Sequence, residues 1–394
     1  MTAAGCAAQR PRAPARPRHR VQGVDRRTVR PARRARRRPG RWCHLPRHPA
    51  SARYRGATGV IVGVLRETAA RERRVALTPD GVRCLTAAGM RVVVEANAGR
   101  AAGFGDAAYR SAGAAVAVDP GTVVAACDVL AWVKPTTHDL RTMSRRPHLT
   151  LIGFQDPLRR APQIAELREL GVESIAFELF SRESGELDAL SAMSRIAGSV
   201  AYLAGRRLVP RTVRRPIRSL ILGCGQAGLS AVAAAAACGA EPPVVLGRRP
   251  ELRQALDAQG PNVFHWSGEV DAARVLERIR ADKPDLVFCA AARRGQRAPL
   301  LVDRTALDAL GDGAVVVDLT AKAGGNCAAT VTDATVVLGN GVVVTHRSNY
   351  PARRPAPASR AYSAAVTASI LRLADSGLPE AQTASNASAT IGRT

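Results

Sequence analysis

From residue 60 onward the chain alternates short, uninterrupted apolar runs with segments of helical period. Val60–Leu65, Arg91–Glu95, Val129–Val133, Leu149–Phe154 and Ser174–Phe177 are runs of strand length, bounded by polar or turn-forming residues. Continuous apolar runs of this length predict strands buried on both faces, as in a parallel sheet. Between the first two, Thr78-Pro79-Asp80 opens a helix, with Thr78 at the cap and Pro79 at the first helical position, and the helix runs to about Gly89. A long helix rich in small residues covers Ala189–Leu208. The alternation then resumes with strands at Ser219–Leu222, Val244–Leu246, Asn262–His265, Asp285–Cys289, Ala314–Leu319 and Val342–Thr345. Gln226–Cys238 is a helix with Gly239 at its C-terminal turn, and Ser359–Leu373 closes the pattern. Strands alternating with helices predict an α/β fold built on parallel sheets.

Composition changes this picture mainly at the ends. The net charge of +26 is uneven: residues 1–58 hold 17 Arg, no Lys and one acid, Asp25. This segment is Arg, Pro and Ala without apolar periodicity, too poor in core-forming residues to fold alone. Three readings stand for it: an over-extended start in a GC-rich gene, a disordered tail, or a nucleic-acid-binding arm. The last lacks the interleaved aromatics or groove-reading element such an arm would carry, so no nucleic-acid partner is expected. Residues 377–394 are small and polar and read as a loose tail. The eight Cys are scattered without CxxC spacing, and His138, His148 and His265 share no ligand spacing, so no metal is expected and a reduced, cytoplasmic protein is. No apolar run reaches the length of a membrane span, so any membrane association would come through partners.

The strongest local motif is Gly223-Cys224-Gly225-Gln226-Ala227-Gly228, with an expected strand before it and a helix after it. In that context the first glycine permits a tight turn and the second lets backbone approach a pyrophosphate. The third lets the helix pack close to the sheet. The following strand normally ends in an acid that binds the ribose hydroxyls. Here Gly247-Arg248-Arg249 follows Leu246. Two guanidiniums in place of a carboxylate suit a 2′-phosphate, so the cofactor is NAD(H) or NADP(H), with a lean toward the latter. Surface arginines of an Arg-rich chain would look the same.

Several stretches resemble the superfamily of alanine dehydrogenases and proton-translocating transhydrogenase alpha subunits. They are Gly63-Val64-Leu65-Arg66-Glu67, Glu72-Arg73-Arg74-Val75-Ala76-Leu77-Thr78-Pro79, Gly103-Phe104-Gly105-Asp106, and Met193-Ser194-Arg195-Ile196-Ala197-Gly198. Val317-Asp318-Leu319 and Gly324-Gly325-Asn326-Cys327 are similar to the transhydrogenase branch. The resemblance covers about residues 60–375. It implies two Rossmann-like doubly wound domains with an interdomain cleft: 59–188 with 355–376, and 189–354. It also implies a homodimer, and in the transhydrogenase reading a soluble subunit that exchanges hydride between NAD(H) and NADP(H). Its partners there would be membrane transhydrogenase subunits and an NADP(H)-binding subunit, giving a cytoplasmic protein peripheral to the membrane.

Residue by residue, the resemblance implies that Arg74 and Lys134 fall where alanine dehydrogenases hold substrate, and Lys134 is one of only three Lys in the chain. The dehydrogenase catalytic His position is Asp156 and its catalytic Asp position is Lys322, which changes the groups able to move protons. Asp188, Met193, Ser194 and Asn349 fall on the cofactor side. Of a transhydrogenase Arg-Gln-Asp loop only Asp188 is kept, since Phe180 and Gly185 stand at the other two positions. Asp188 also reads as an ordinary acid at a helix start. The alternatives to a transhydrogenase subunit are a stand-alone amino-acid dehydrogenase or imine reductase using Arg74 and Lys134, and a catalytically silent nucleotide-binding homologue.

Overall fold

A computed structural model describes residues 59–140, 149–157, 159–248, 264–294 and 296–375, all within one compact unit, Leu45–Thr394. The basic segment 1–58, the tail from 376 and Arg249 lie outside the described residues.

Two sheets form the frame. The first contains β1 (Ile61–Val64), β2 (Arg91–Glu95), β3 (Ala115–Ala117), β4 (Val129–Ala131), β5 (Thr150–Gly153) and β6 (Glu173–Ala176), in the order β3-β2-β1-β4-β5-β6. All its pairings are parallel. The second contains β7 (Ser219–Leu222), β8 (Val244–Leu246), β9 (His265–Trp266), β10 (Leu286–Cys289), β11 (Val315–Asp318), β12 (Thr335–Val337) and β13 (Val343–Thr345), in the order β12-β13-β11-β10-β7-β8-β9. It is parallel except where β12 runs against β13. Counted outward from their first strands, both sheets reverse direction beside β1 and β7, the doubly wound Rossmann order. The fold is therefore α/β with two Rossmann-like domains.

The continuous apolar runs have the physical cause expected of them. In β1, Val62 and Val64 face one core with Val82 and Leu85 of α1 (Pro79–Ala87), while Ile61 and the following Leu65 face another with Val123 and Val124 of α3 (Pro120–Ala126). α2 (Asp106–Ser111) lies between these helices in sequence and buries Tyr109, whose hydroxyl donates to the Leu77 carbonyl at 2.8 Å. α4 (Ala161–Glu169) precedes β6 and buries Ile164. In the second sheet Leu220, Leu222, Val287 and Val316 share a core with Val275 and Ile279 of α7 (Ala272–Asp282) and with Ala306 and Leu307 of α8 (Arg304–Asp308).

α5 (Ala189–Arg206) joins the two halves. Its first turns bury Ala189, Ala192 and Met193 in the core of the first sheet, and its later turns bury Ala201 and Tyr202 in that of the second. It packs on α6 (Gln226–Ala237) closely enough that a Cβ at Gly198 would overlap the Ala227 carbonyl. The closing helix α9 (Pro355–Asp375) returns to the first sheet, burying Tyr362, Val366 and Ile370 there. It starts four residues earlier than its periodicity suggests, at a proline suited to a first helical position. The sequence reading passes over β3 and β12, three-residue strands at sheet edges, where Ala115-Val116-Ala117 and Thr335-Val336-Val337 are short and only partly buried. The strand expected at Asn262–His265 appears as His265–Trp266, with 262–263 outside the described residues.

Candidate functional site

In doubly wound sheets, ligands collect beyond the carboxyl ends of the strands, where the order reverses. Both reversal points of this chain carry unusual side chains.

At the second sheet, the turn after β7 has three glycines with three different constraints. Gly223 has φ +98°, and a Cβ there would stand 2.7 Å from the Ala290 carbonyl oxygen. A Cβ at Gly228 would overlap the Gly223 carbonyl, so this glycine lets α6 approach β7. Gly225 would meet nothing within 4 Å. Its missing side chain leaves open space. Gly225 also caps α6 with no side-chain acceptor, whereas α3, α5, α7 and α8 are capped by Asp119, Asp188, Asp271 and Asp303. The free N–H groups and the positive end of a twelve-residue helix therefore face the cleft. That cleft, about 830 Å³, is lined by Gly223–Ala227, Ser191, Ser194, Thr320 and the cations Arg248, Arg293, Arg294 and Arg297. Among the described residues no Asp or Glu lines it. An open helix N-terminus, an unfilled glycine position and several guanidiniums fit the phosphates of a dinucleotide.

A hydrogen-bonded floor supports this cleft. Asp318, fully buried at the end of β11, accepts from the Thr320, Asn326 and Cys327 amides at 2.7, 2.8 and 3.1 Å and from the Thr330 hydroxyl at 2.9 Å. Asn326 in turn accepts from the Ala291 amide and donates to the Ala291 and Pro299 carbonyls at 3.0, 2.9 and 2.8 Å. The Asp318 and Asn326 motif thus shapes the β10 loop that carries Arg293, Arg294 and Arg297.

At the first sheet, the residues following β1 and β4 converge. Glu67 accepts from the Val133 and Lys134 amides at 2.6 and 3.0 Å, and burial pushes its carboxyl up to about 8. Glu72 is fully buried and takes the Arg74 fork at 2.7 and 2.6 Å. Burial would raise its pKa, but the Arg74 hydrogen bonds and charge, helped by Lys134, hold it at about 2. Asn349, which follows β13 of the second sheet, closes the group, accepting from Arg74 at 2.8 Å and donating to Glu72 at 2.9 Å. Its φ of +64° is one that Asn tolerates better than most residues. The Lys134 ammonium stands 3.6 Å from Glu72 and is 28% exposed; burial lowers its pKa, with further lowering from Arg74 and Lys322.

The sequence-derived candidates divide accordingly. Gly223, Cys224, Gly225, Gln226, Ala227, Arg248 and Ser194 line the nucleotide cleft, and Arg74, Lys134 and Asn349 meet beneath the first sheet's reversal point. Met193 is buried in the first core and is not among the residues that line the cleft. Gly228 serves packing, and Gly247 lies behind Cys224. Asp188 is buried and held by Arg294. Asp156 has φ +51° and lies half-exposed beside Arg159, so it is not the desolvated base that a proton-abstracting role would ask for. Sequence reasoning missed Glu72 and Arg294 as participants. Glu72 stands only two residues before Arg74, but nothing local showed the fork closing on it.

Residues 63–197 match the family model described as alanine dehydrogenase/PNT, N-terminal domain, and residues 196–391 match its C-terminal domain. The NAD(P) transhydrogenase subunit alpha of Cereibacter sphaeroides is 31% identical over 332 residues, 77% of this chain and 63% of that protein. The alanine dehydrogenase of Bacillus subtilis is 32% identical over 282 residues, 68% of this chain and 72% of that one. The crystal structure of transhydrogenase from Sinorhizobium meliloti superposes with a TM-score of 0.72 at 28% identity, over 79% of this chain and 95% of that one. An L-alanine dehydrogenase structure gives 0.73 at 25% identity, covering 82% and 93%. The chain thus spans 63% of the length of the transhydrogenase alpha subunit it matches. Among the described residues no helix is long and apolar enough to cross a membrane.

Proposed function

This chain belongs to the alanine dehydrogenase/PNT family, and from that premise we propose that it is an oxidoreductase subunit of the transhydrogenase type. It passes hydride between a nicotinamide nucleotide in its own cleft and a second nucleotide on a partner subunit. The observation that carries this reading is the state of Arg74. Its guanidinium is 3% exposed, its fork is closed on Glu72, and a further bond goes to Asn349. An arginine so engaged is not free to grip a substrate carboxylate with two hydrogen bonds. The two other small-molecule positions also differ: Asp156 is a half-exposed surface carboxylate, and Lys322 is a cation.

The chemistry a bound nicotinamide nucleotide supplies is the donation or acceptance of hydride. The chain's own residues bind and orient. The Gly223–Gly228 turn and the first N–H groups of α6 hold the pyrophosphate, and Arg293 and Arg297 balance its charge. Ser191 and Ser194 present hydroxyls from α5, and Asn326 holds the β10 loop in place. The partners in this reading are membrane transhydrogenase subunits and a second nucleotide-binding subunit. The chain is a homodimer and sits on the cytoplasmic face of the membrane.

The test is reconstitution with the partner subunits of a transhydrogenase, following hydride exchange between two nucleotides optically. No exchange above that of the partners alone sinks the proposal. A second reading is favoured by Lys134, whose ammonium is partly exposed and whose proton is loosened by burial. It is an amino-acid dehydrogenase or imine reductase, and it requires oxo-acid- or imine-dependent nucleotide oxidation by the isolated chain that Lys134→Ala abolishes.

A further inference from the structure

Resting on the reading of the cleft as a nicotinamide-nucleotide site, we infer that it selects the 2′-phosphorylated nucleotide, NADP(H), through Cys224, Gly247 and Arg248. β8 ends at Leu246, and the next position is where a Rossmann domain sets the carboxylate that accepts from the ribose diol. Here that position is Gly247, and the space its side chain would fill is already taken. A Cβ at Gly247 would overlap the Cys224 sulfur and come within 3.1 Å of both the Cys224 Cβ and the Trp266 ring. The floor beneath the adenosine ribose is therefore a thiol and an indole, neither of which replaces a carboxylate as acceptor for two hydroxyls. Among the described residues no acidic side chain lines the cleft to restore it. Asp188, the nearby buried acid, is committed to Arg294.

The next residue supplies the opposite chemistry. Arg248 is exposed, lines the cleft, and has no ion-pair partner among the described residues. A guanidinium at the end of β8 matches a phosphate ester in charge and in geometry, and gains little from a free diol. Arg293 and Arg297 add positive potential along the same cleft. Cys224 becomes a specificity residue as well as a turn residue, because its sulfur keeps position 247 without a side chain.

The test is fluorescence titration of the full chain with NADH and NADPH at matched ionic strength. NADPH is expected to bind more tightly by on the order of 10-fold or more, the worth of one charge-assisted contact. Arg248→Ala should remove most of that advantage and leave NADH affinity within about 2-fold. The double variant Cys224→Ala/Gly247→Asp, which exchanges the thiol for the missing carboxylate, should turn the preference toward NADH. Circular dichroism checks that the double variant folds, and the Arg248→Ala comparison, made at an exposed position, stands without it. Equal affinities, an NADH preference in the unaltered chain, or an Arg248→Ala that weakens both nucleotides alike overturns the inference and leaves the cleft a nucleotide site. Binding of neither nucleotide overturns the site reading itself, and this inference with it.

Discussion

Arg294 donates one guanidinium nitrogen to both carboxylate oxygens of Asp188, at 2.6 and 2.7 Å, and so ties the loop after β10 to the N-terminus of α5. The same guanidinium reaches the Ser191 hydroxyl at 3.2 Å and the Phe180 carbonyl. Asp188 meanwhile caps α5 by accepting from the Ser191 amide at 3.0 Å. Arg294 thus brings a cation to Asp188 from the other sheet. Arg294→Ala leaves that carboxylate, 2% exposed, without its cation. The expected loss is about 2–4 kcal/mol by urea denaturation. Asp188→Ala/Arg294→Ala should cost less than the sum of the two single changes, because the pair is coupled. Additive costs would show that the ion pair contributes nothing to the link.

The glycine turn separates folding from binding. Gly225→Ala points a methyl group into open space, so the fold and its melting temperature should hold while nucleotide affinity drops at least about 10-fold, from lost backbone approach. Gly228→Ala drives a methyl group into the Gly223 carbonyl and should destabilise the chain by several kcal/mol, on the order of an overpacked core. Thermal melts and nucleotide titration of both variants check this. A Gly225→Ala variant that binds as well as the parent would remove the turn from the site.

Glu72 depends on Arg74 more than on Lys134. Arg74→Ala strands a fully buried carboxylate and should cost about 3–5 kcal/mol. Lys134→Ala removes a half-buried partner 3.6 Å away and should cost less than about 1 kcal/mol. Chemical denaturation of the two variants gives the order directly, and the reverse order would contradict the geometry.

The two carboxylates of this cluster give stability opposite dependences on pH. Glu72 falls from 4.5 to about 2 in the folded chain, so its contribution is present above 4.5 and is lost as pH drops toward 2. Glu67 rises from 4.5 to about 8, so its contribution is present below 4.5 and is lost as pH climbs through 8. Glu67→Gln cannot ionise, and its melting temperature should fall less than the parent's between pH 5 and about pH 8. Parallel melting curves for the two across that range would show that Glu67 keeps an ordinary pKa.

The sequence by itself determined what rests on neighbouring residues. Val62 and Val64 on one face of β1, with Ile61 and Leu65 on the other, make a strand that only a covered sheet can bury, and this was legible as an unbroken apolar run. The Gly223–Gly228 turn was legible because Gly223 takes a left-handed backbone conformation and Gly228 presses on the Gly223 carbonyl, a constraint between near neighbours in the chain. Tertiary structure decided what depends on residues far apart in the chain. Asn349 closes on Arg74 across 275 positions, and Arg294 finds Asp188 across 106. Cys224 fills the space of Gly247's absent side chain only because β7 and β8 lie side by side. A charged or polar side chain carries no periodicity that names its partner, so the fold alone turned Arg74 from a candidate substrate arginine into a buried, occupied one.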